Sequence, residues 1–372
     1  MSQELIKHEA MLAKVLTKLY TANVLTTSDL SRILGDAHST YGKVNQVKKY
    51  MNMLELLGVN VLPDVMIHKL KFIGILIIAK LKKVRKCPNI NVITATTPYV
   101  RSMSLIYPRT IVLTLYTPEN INVYEITGDT PGAITQVYRY TVRSKPIPEY
   151  LFKLMKSGES AFNEISFSTC IENTLSLSED WNKRSKISNL VLRILDILLL
   201  DPKLTIDEVK DKIKEVLNKE LNISKVKKYV RQAAKFIYGY RVSVVRTPYI
   251  SNVKLCLVVK GISDIDKFCL SAVRHPLAIF CSWNDLGGSF ACFSLPESGK
   301  ALTMFKEDLY QFVDWFGGEV VEEFEYIYED GYTAVVNIPY GEWSPLLRSW
   351  RKFRGVVPSV INKLREGGCI EI

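Results

Sequence analysis

The chain has 372 residues, of which 47% are hydrophobic and 23% charged, and it carries a formal net charge of +11. That is chain enough for about two to three domains with real cores. The longest apolar runs, FIGILIIA from Phe72 and the stretch near Leu198 broken by Asp196, fall short of the roughly 20 residues a membrane span requires. The N-terminus, with Glu4, Lys7 and Glu9 on a helical pattern, lacks a signal peptide's apolar core. A soluble cytoplasmic protein is therefore expected. The seven cysteines form no CxxC pair, are odd in number and sit partly in apolar runs, as buried free thiols in a reduced compartment do.

From the N-terminus, Leu12, Val15, Leu16 and Leu19 follow helical spacing and give a first helix one apolar face. The segment LTTSDL (Leu25 to Leu30) announces a second helix, with Thr26 and Asp29 in the hydroxyl-x-x-acid form of a capping box and Leu30, Ile33 and Leu34 facing inward. A third helix places Val44, Val47, Met51 and Leu54 on a buried stripe. Its outward set is Lys43, Asn45, Gln46, Lys48, Lys49 and Asn52. The strand-like VNVLPDVMI (Val59 to Ile67) follows, as a wing or a connector.

Next comes an alternating αβ unit. A strand is expected at Phe72 to Lys80, a weak helix around Asn89 to Thr96, and a hairpin entered at Pro98, turning at Tyr107-Pro108-Arg109 and left at Pro118-Glu119. A helix damaged by Gly128 and Pro131 precedes a strand at Gln136 to Val142. The stretch from Leu151 to Lys186, rich in Ser, Asn and Glu, reads as a linker.

The second half repeats this plan. Residues Val15 to Met51 align without a gap on Ile194 to Val230, an offset of 179, with VKKYM (Val47 to Met51) matched by VKKYV (Val226 to Val230). Such a duplication determines the architecture: one polypeptide supplies what two subunits usually do. Val191, Ile194, Leu195 and Leu198 repeat the first helix. Thr205 with Glu208 forms the better capping box, ahead of Val209, Ile213 and Val216. The third helix buries Ile223, Val226, Val230 and Ala233 and turns outward Ser224, Lys225, Lys227, Lys228 and Arg231. Tyr50 and Tyr229 recur beside the stripe, placed either to pack or to reach a phosphate.

A strand-like stretch from Tyr240 to Ile250 and a second αβ unit follow. This unit has a strand at Val253 to Lys260, a helix at Asp264 to Arg274, a hairpin from Pro276 to Pro296-Glu297, a helix from Ser298 to Phe316 and a strand from Val320 to Tyr328. The order βαββαβ is that of a ferredoxin-like sheet. Surface charge has diverged: residues 63–150 hold 12 basic against 5 acidic side chains, residues 250–330 hold 6 against 13. A +7 and a −7 domain could attract each other across an internal interface, with hydrophobic sheet packing as the other means of holding them together.

Three helices with a basic, amide-bearing third make a helix-turn-helix whose last helix enters the major groove. Lys and Arg would neutralise phosphates, and Asn, Gln or Arg would pair with base edges. The recurrence of VKK in one register sets this above the plain reading of a solvated face. With the βαββαβ unit, and with RHPLAIFCSWNDLGGSFACFSLPE (Arg274 to Glu297), the chain resembles the Lrp/AsnC type of feast/famine transcription regulator over most of residues 8–143 and 187–330.

The resemblance implies an α+β chain with helix-turn-helix (winged-helix-like) domains at 1–62 and 187–249 and ferredoxin-like domains at 63–150 and 250–338. A linker at 151–186 and a helical tail at 339–372 complete a tandem pseudo-dimer. It implies double-stranded DNA as partner, with no membrane and no cofactor. Further self-association through the ferredoxin-like domains and a small-molecule effector also belong to that family's repertoire. An effector site would fall on the turn Asn284, Asp285, Gly287 and Gly288, although both copies depart from the family's Gly-x-Tyr/Phe-Asp type of turn.

No metal motif or catalytic constellation is present: His8, His38, His68 and His275 are scattered, and His275 before Pro276 reads as a turn residue. Two alternatives stand beside DNA binding. One is an enzyme of the siroheme decarboxylase type, which has a similar fold, with Arg101, Arg109, Arg139 and Arg274 gripping a carboxylate-rich tetrapyrrole. The other is a purely architectural or interaction role. The tail from Trp343 to Arg354 lies beyond the family pattern and reads as a docking helix ahead of a second basic nucleic-acid contact.

Overall fold

The computed structural model describes residues 3–21, 40–128, 133–172, 187–218, 220–244, 247–327, 333–335, 339–347 and 349–372. The first copy runs α1 (Gln3–Leu19), α2 (Thr40–Leu56), β1 (Val59–Val65), β2 (Phe72–Lys80), β3 (Lys83–Val84), α3 (Ile90–Thr96), β4 (Val100–Ile106), β5 (Thr110–Pro118), α4 (Val123–Thr127), β6 (Ala133–Tyr138) and β7 (Tyr140–Arg143). Helices α5 (Pro148–Ser157) and α6 (Phe167–Glu172) follow.

The second copy runs α7 (Asn189–Leu200), α8 (Ile206–Leu217), α9 (Ile223–Ala234), β8 (Ile237–Val244), β9 (Ile250–Lys260), α10 (Ile265–Ala272), β10 (Ala278–Trp283), β11 (Ser289–Pro296), α11 (Gly299–Trp315), β12 (Glu319–Ile327) and β13 (Thr333–Val335). The tail adds β14 (Trp343–Ser344), β15 (Ser349–Trp350), α12 (Val356–Glu366) and β16 (Ile370–Glu371). This is an α+β chain. The second helix of copy one, with Thr26, Asp29, Leu30, Ile33 and Leu34, lies outside the described residues.

The two large sheets have the same plan, β13-β4-β5-β2-β6 and β7-β10-β11-β9-β12. In each, four strands come from one copy in the order that the βαββαβ succession implies, and the fifth comes from the other copy. The strand expected over Gln136 to Val142 accordingly breaks at Arg139. β6 pairs with β2 of its own sheet, while β7 crosses to pair with β10, and the Arg139 N–H donates to the Trp283 carbonyl at 3.0 Å.

The stretches after the helical modules pair with each other, β1 antiparallel to β8, which makes them an inter-copy ribbon rather than a wing. Leu62 stands opposite Arg241, and these residues are 179 apart, so the ribbon is centred on the pair that the duplication equates. A pseudo-two-fold axis therefore passes there. Gly239 on β8 has φ +135°, and a Cβ on it would lie 2.0 Å from the Tyr20 carbonyl oxygen, so only glycine lets the end of α1 pack against the ribbon.

The inner faces of the two sheets meet in an apolar seam of Leu76, Ile78, Ile106, Val112 and Tyr138 against Cys256, Val258, Phe290, Cys292 and Phe324. One ion pair, Lys80 to Glu322, lies in it, with the ammonium 4.4 Å from the Phe324 ring centroid. Among the described residues, the centre of this interface is thus hydrophobic burial with the Lys80–Glu322 pair inside it.

The outer faces are covered by crossed-over segments. The described part of the stretch read as a linker, 151–172, is not bare chain: Leu154, Ala161, Phe162, Ile165 and Phe167 enter the core of the second sheet. In return Val356, Val357, Val360, Ile361 and Leu364 of α12 enter the core of the first. Crossing over gives each segment an apolar face of the opposite copy to bury, which Ser, Asn and Glu content conceals. The docking helix starts only at Val356. Trp343 and Trp350, expected on it, instead pair across the β14–β15 hairpin. Their rings lie 5.0 Å apart, with Trp350 stacked at 4.1 Å on Phe72 and its indole N–H donating to the Leu70 carbonyl at 2.5 Å.

The cysteine reading is corrected. Cys87–Cys369, Cys256–Cys292 and Cys269–Cys281 are disulfides, and Cys170 is a free buried thiol. Their separations of 282, 36 and 12 residues make no recognisable spacing motif, because sheet pairing and tail docking bring them together. Among the described residues, no helix is long and apolar enough to cross a membrane.

Candidate functional site

The second helical module has the expected three helices. The Thr205 hydroxyl accepts from the Glu208 N–H at 3.3 Å, and the Glu208 carboxylate accepts from the Thr205 N–H at 2.6 Å, so the predicted capping box starts α8. Asn222 caps α9, its side chain accepting from the Lys225 N–H and the Ser224 hydroxyl at 2.9 Å each. Val226, Val230 and Ala233 are buried as expected. Val216 and Ile223 are not, with 53% and 43% exposure, because they sit in terminal turns that reach past the neighbouring helix.

Lys225, Lys227, Lys228 and Arg231 all lie on the exposed face of α9. Tyr229 is partly buried against the module's core, and Tyr50 is buried in that of the first module, so both tyrosines pack.

The matching helix of copy one is differently placed. Of its predicted contacts, the side chains of Lys43, Asn45 and Gln46 lie outside the described residues, while Lys49 and Asn52 are exposed. The Lys48 ammonium donates to both carboxylate oxygens of Glu208 at 3.1 and 3.0 Å, and Lys203 pairs with Glu55. Thus α2 leans on the start of α8 of the other copy. Backbone and side-chain hydrogen bonds from Thr205, with those of Lys48, hold the Glu208 carboxyl below its usual range. Exposed ion pairs of this kind contribute only about 0–1 kcal/mol each, so they orient α2 more than they stabilise the fold.

The turn proposed for an effector is occupied by its own backbone. Asn284 Oδ1 accepts from the N–H groups of Leu286 and Gly288 at 3.0 and 3.1 Å, and its Nδ2 donates to the Val137 carbonyl at 3.3 Å. Gly287 supplies a left-handed φ of +75°. Asp285 is exposed, 4.0 Å from Arg139. The amide of Asn284 therefore serves the turn.

A cavity of about 260 Å³ does lie beside it, between the copies. Copy one lines it with Asp64 to His68, Phe72 to Gly74, and Arg139 to Arg143 with Lys145; copy two adds Tyr238, Leu270, Val273 and Trp283. Lys145 is buried, donates to the Tyr20 carbonyl at 3.1 Å and lies 4.1 Å from the Tyr238 ring centroid. Burial holds its ammonium below the usual lysine range. Sequence reasoning missed this site because its two walls are far apart in the chain and join only through the β7 crossover.

Of the four arginines considered for tetrapyrrole binding, Arg139 lines this cavity, while Arg101 lies 6.0 Å from the ring of Tyr116 and is not part of the cavity's lining. Arg109 belongs to a separate open basin with Lys80, Lys82 and Ile372, and Arg274 is buried, donating to the Lys145 carbonyl at 2.5 Å. His275 is buried too, stacked at 4.3 Å on Phe167, its Nδ1 accepting from the Leu277 N–H. It is the turn residue its sequence suggests. Among the described residues, no group of three or more His, Cys, Asp or Glu side chains is arranged to hold a metal ion.

No protein-family model matches the chain, and no curated protein does. Among solved structures it is similar to the siroheme decarboxylase NirDL, at 13% identity over 95% of this chain and 99% of that chain, with a TM-score of 0.46. It is also similar to that decarboxylase in co-complex with an iron-uroporphyrin III analogue, at 11% identity over 95% and 97% of the two chains, with a TM-score of 0.42. What the two molecules share at this level is α+β architecture.

Proposed function

We propose that the chain is a sequence-specific double-stranded DNA-binding transcription regulator in which α9 is the principal reading head. The observation that carries this reading is the exposed face of α9, where Lys225, Lys227, Lys228 and Arg231 project opposite a buried Val226–Val230–Ala233 stripe on the last helix of a three-helix module. Lys side chains there would neutralise phosphates, and Arg231 has the fork that pairs with a base edge or a phosphate. Because Lys48 is engaged by Glu208, the second head is weaker, and the preferred site is one good half-site with a tolerant neighbour.

The test is fluorescence anisotropy of the full chain on duplex DNA from upstream of its own gene, across a salt series. Replacing Lys225, Lys227, Lys228 and Arg231 by alanine should weaken binding about 100-fold and flatten the log–log salt slope by up to about 4, roughly one per lost phosphate contact. Binding indifferent to these four residues, or two equally strong half-sites in selection from random DNA, would overturn the assignment.

The enzyme reading has one observation in its favour, the place of Arg139 on the wall of an inter-copy cavity. At about 260 Å³ that cavity is smaller than the roughly 300–1,000 Å³ of pockets for drug-sized ligands, which weighs against a macrocycle as its occupant. Titration with uroporphyrin should leave the pigment's absorbance band unmoved; a saturable shift lost on Arg139→Ala would reinstate the enzyme.

A further inference from the structure

The segment that ends β2 and follows it reads Lys80-Leu81-Lys82-Lys83-Val84-Arg85-Lys86, five cations in seven residues. Its backbone is held on both flanks. The Leu81 and Val84 N–H groups donate to the Arg109 and Pro108 carbonyls of the β4–β5 turn at 2.7 Å each. Those of Lys82 and Arg85 donate to the Glu371 and Cys369 carbonyls of the tail at 3.0 and 2.8 Å. Leu81 and Val84 are buried, whereas Lys82, Lys83, Arg85 and Lys86 are exposed, and so are Tyr107 and Arg109 of the turn. The result is a fixed ridge of cations beside an open basin of about 560 Å³, lined by Lys80, Lys82 and Arg109 with Leu81 and Ile372.

Acidic side chains answer only part of this charge. Arg85 pairs with Glu371 and Lys80 with Glu322, but among the described residues Lys82, Lys83, Lys86 and Arg109 have no ion-pair partner. Lysines often guard a bare strand edge, yet this segment is already hydrogen-bonded on both flanks. Nor does the plan of the sheet call for cations here. The corresponding stretch of copy two, Gly261 to Asp266, holds Asp264 and Asp266 and no basic residue, and the turn of its hairpin carries Asp285.

We infer that this ridge is a second nucleic-acid contact, one that grips phosphates without reading sequence. Its Lys and Arg side chains neutralise the backbone charge. Tyr107, 69% exposed among them, offers a ring on which an unpaired base can stack. The contact is separate from α9. Phe72, at the start of β2, packs in the core of the second helical module, and Lys80 ends the same nine-residue strand. A strand of that length spans roughly 26 Å, so the ridge lies at the end of the sheet away from that module. The two contacts share no residue, and failure of either leaves the other standing.

The experiment uses the full chain with Lys225, Lys227, Lys228 and Arg231 already replaced by alanine, so that α9 is silent. Fluorescence anisotropy follows its binding to a random-sequence duplex and to a random-sequence single strand across a low-salt series. Binding to one or both is expected, and the tighter probe identifies the form of nucleic acid that the ridge takes. Adding Lys82→Gln, Lys83→Gln, Lys86→Gln and Arg109→Gln should weaken binding at least about tenfold and flatten the log–log salt slope by up to about 3.6, for four lost phosphate contacts on a duplex. A set with Lys82→Arg, Lys83→Arg and Lys86→Arg keeps the charge and should keep the binding. Absence of binding by the α9-silent chain, or binding unchanged by the glutamine set, overturns the inference. So does an arginine set that loses as much as the glutamine set, since the lysines would then serve the fold. Polyglutamate that competes as well as either strand also overturns it, because the ridge would then take any polyanion, an acidic protein included.

Discussion

The two helical modules descend from one design, yet they sit differently in the molecule. In the second, α9 presents four cationic side chains to solvent and Asn222 caps its start. In the first, α2 spends Lys48 and Glu55 on the other copy. Duplication within one chain makes this possible: once both copies are tethered, corresponding helices can take different neighbours, and α2 meets the start of α8 through Lys48. The modules are also buttressed by unlike means. Leu151, Phe152 and Met155 of α5 complete the core of the first, while Trp343 and Trp350 of the tail hairpin complete that of the second.

The largest effect should come from removing those buttresses. Trp350→Ala deletes a buried ring stacked on Phe72 and should cost about 3–5 kcal/mol, as large-to-small changes at buried aromatics do. Phe152→Ala should cost a similar amount in the other module. Chemical denaturation of both variants checks this, and a Trp350→Ala chain with unchanged stability would mean that the tail is a loose appendage.

Acid should separate the halves next. The copy-one counterpart of buried His275 is Thr97, which does not titrate and donates to the Ile93 carbonyl. Burial lowers His275 to about 3, so its contribution to stability is complete above the unfolded value near 6.5. That contribution falls by about 1.4 kcal/mol per pH unit as pH drops towards 3. Asp196 in the second module opposes it: burial raises its carboxyl to about 6, so the fold gains stability there as pH falls from 6 to about 4. In His275→Asn the histidine's share of the acid loss should be gone, and denaturant midpoints measured from pH 7 to pH 4.5 should decline less than in the parent. An identical decline would show that His275 becomes protonated without unfolding.

The smallest effect sharpens the comparison most. Glu208→Ala removes half a capping box and the partner of Lys48, and should cost about 1 kcal/mol. It should also release Lys48, raising DNA affinity by a few-fold in a chain whose α9 face is neutralised to alanine. No gain in that background would mean that α2 is a brace even when unpaired.

Much of this molecule was legible in the sequence because local rules and the repeat agreed. The 3-4-3 stripe of α9, the Thr205–Glu208 box, the βαββαβ order and the prolines at the hairpin ends are each set by short-range sterics and periodicity. The misjudged residues were those decided by distant partners. Val216 and Ile223 obey helical spacing but lie in terminal turns at 53% and 43% exposure. Tail tryptophans that look like a docking helix pair in a hairpin because Phe72 and Leu70 wait for them on the other copy.

By itself the sequence determined that there are two copies, where their helices and strands lie, and which faces are basic, since these depend on neighbours within a few residues. The tertiary structure alone decided that Lys48 of one module pairs with Glu208 of the other, that cysteines 282 residues apart are joined, and that β7 crosses over to line a cavity together with Trp283 of the second copy. Those outcomes depend on strand exchange and crossed-over segments, whose apolar contacts are non-directional and carry no local sequence signature.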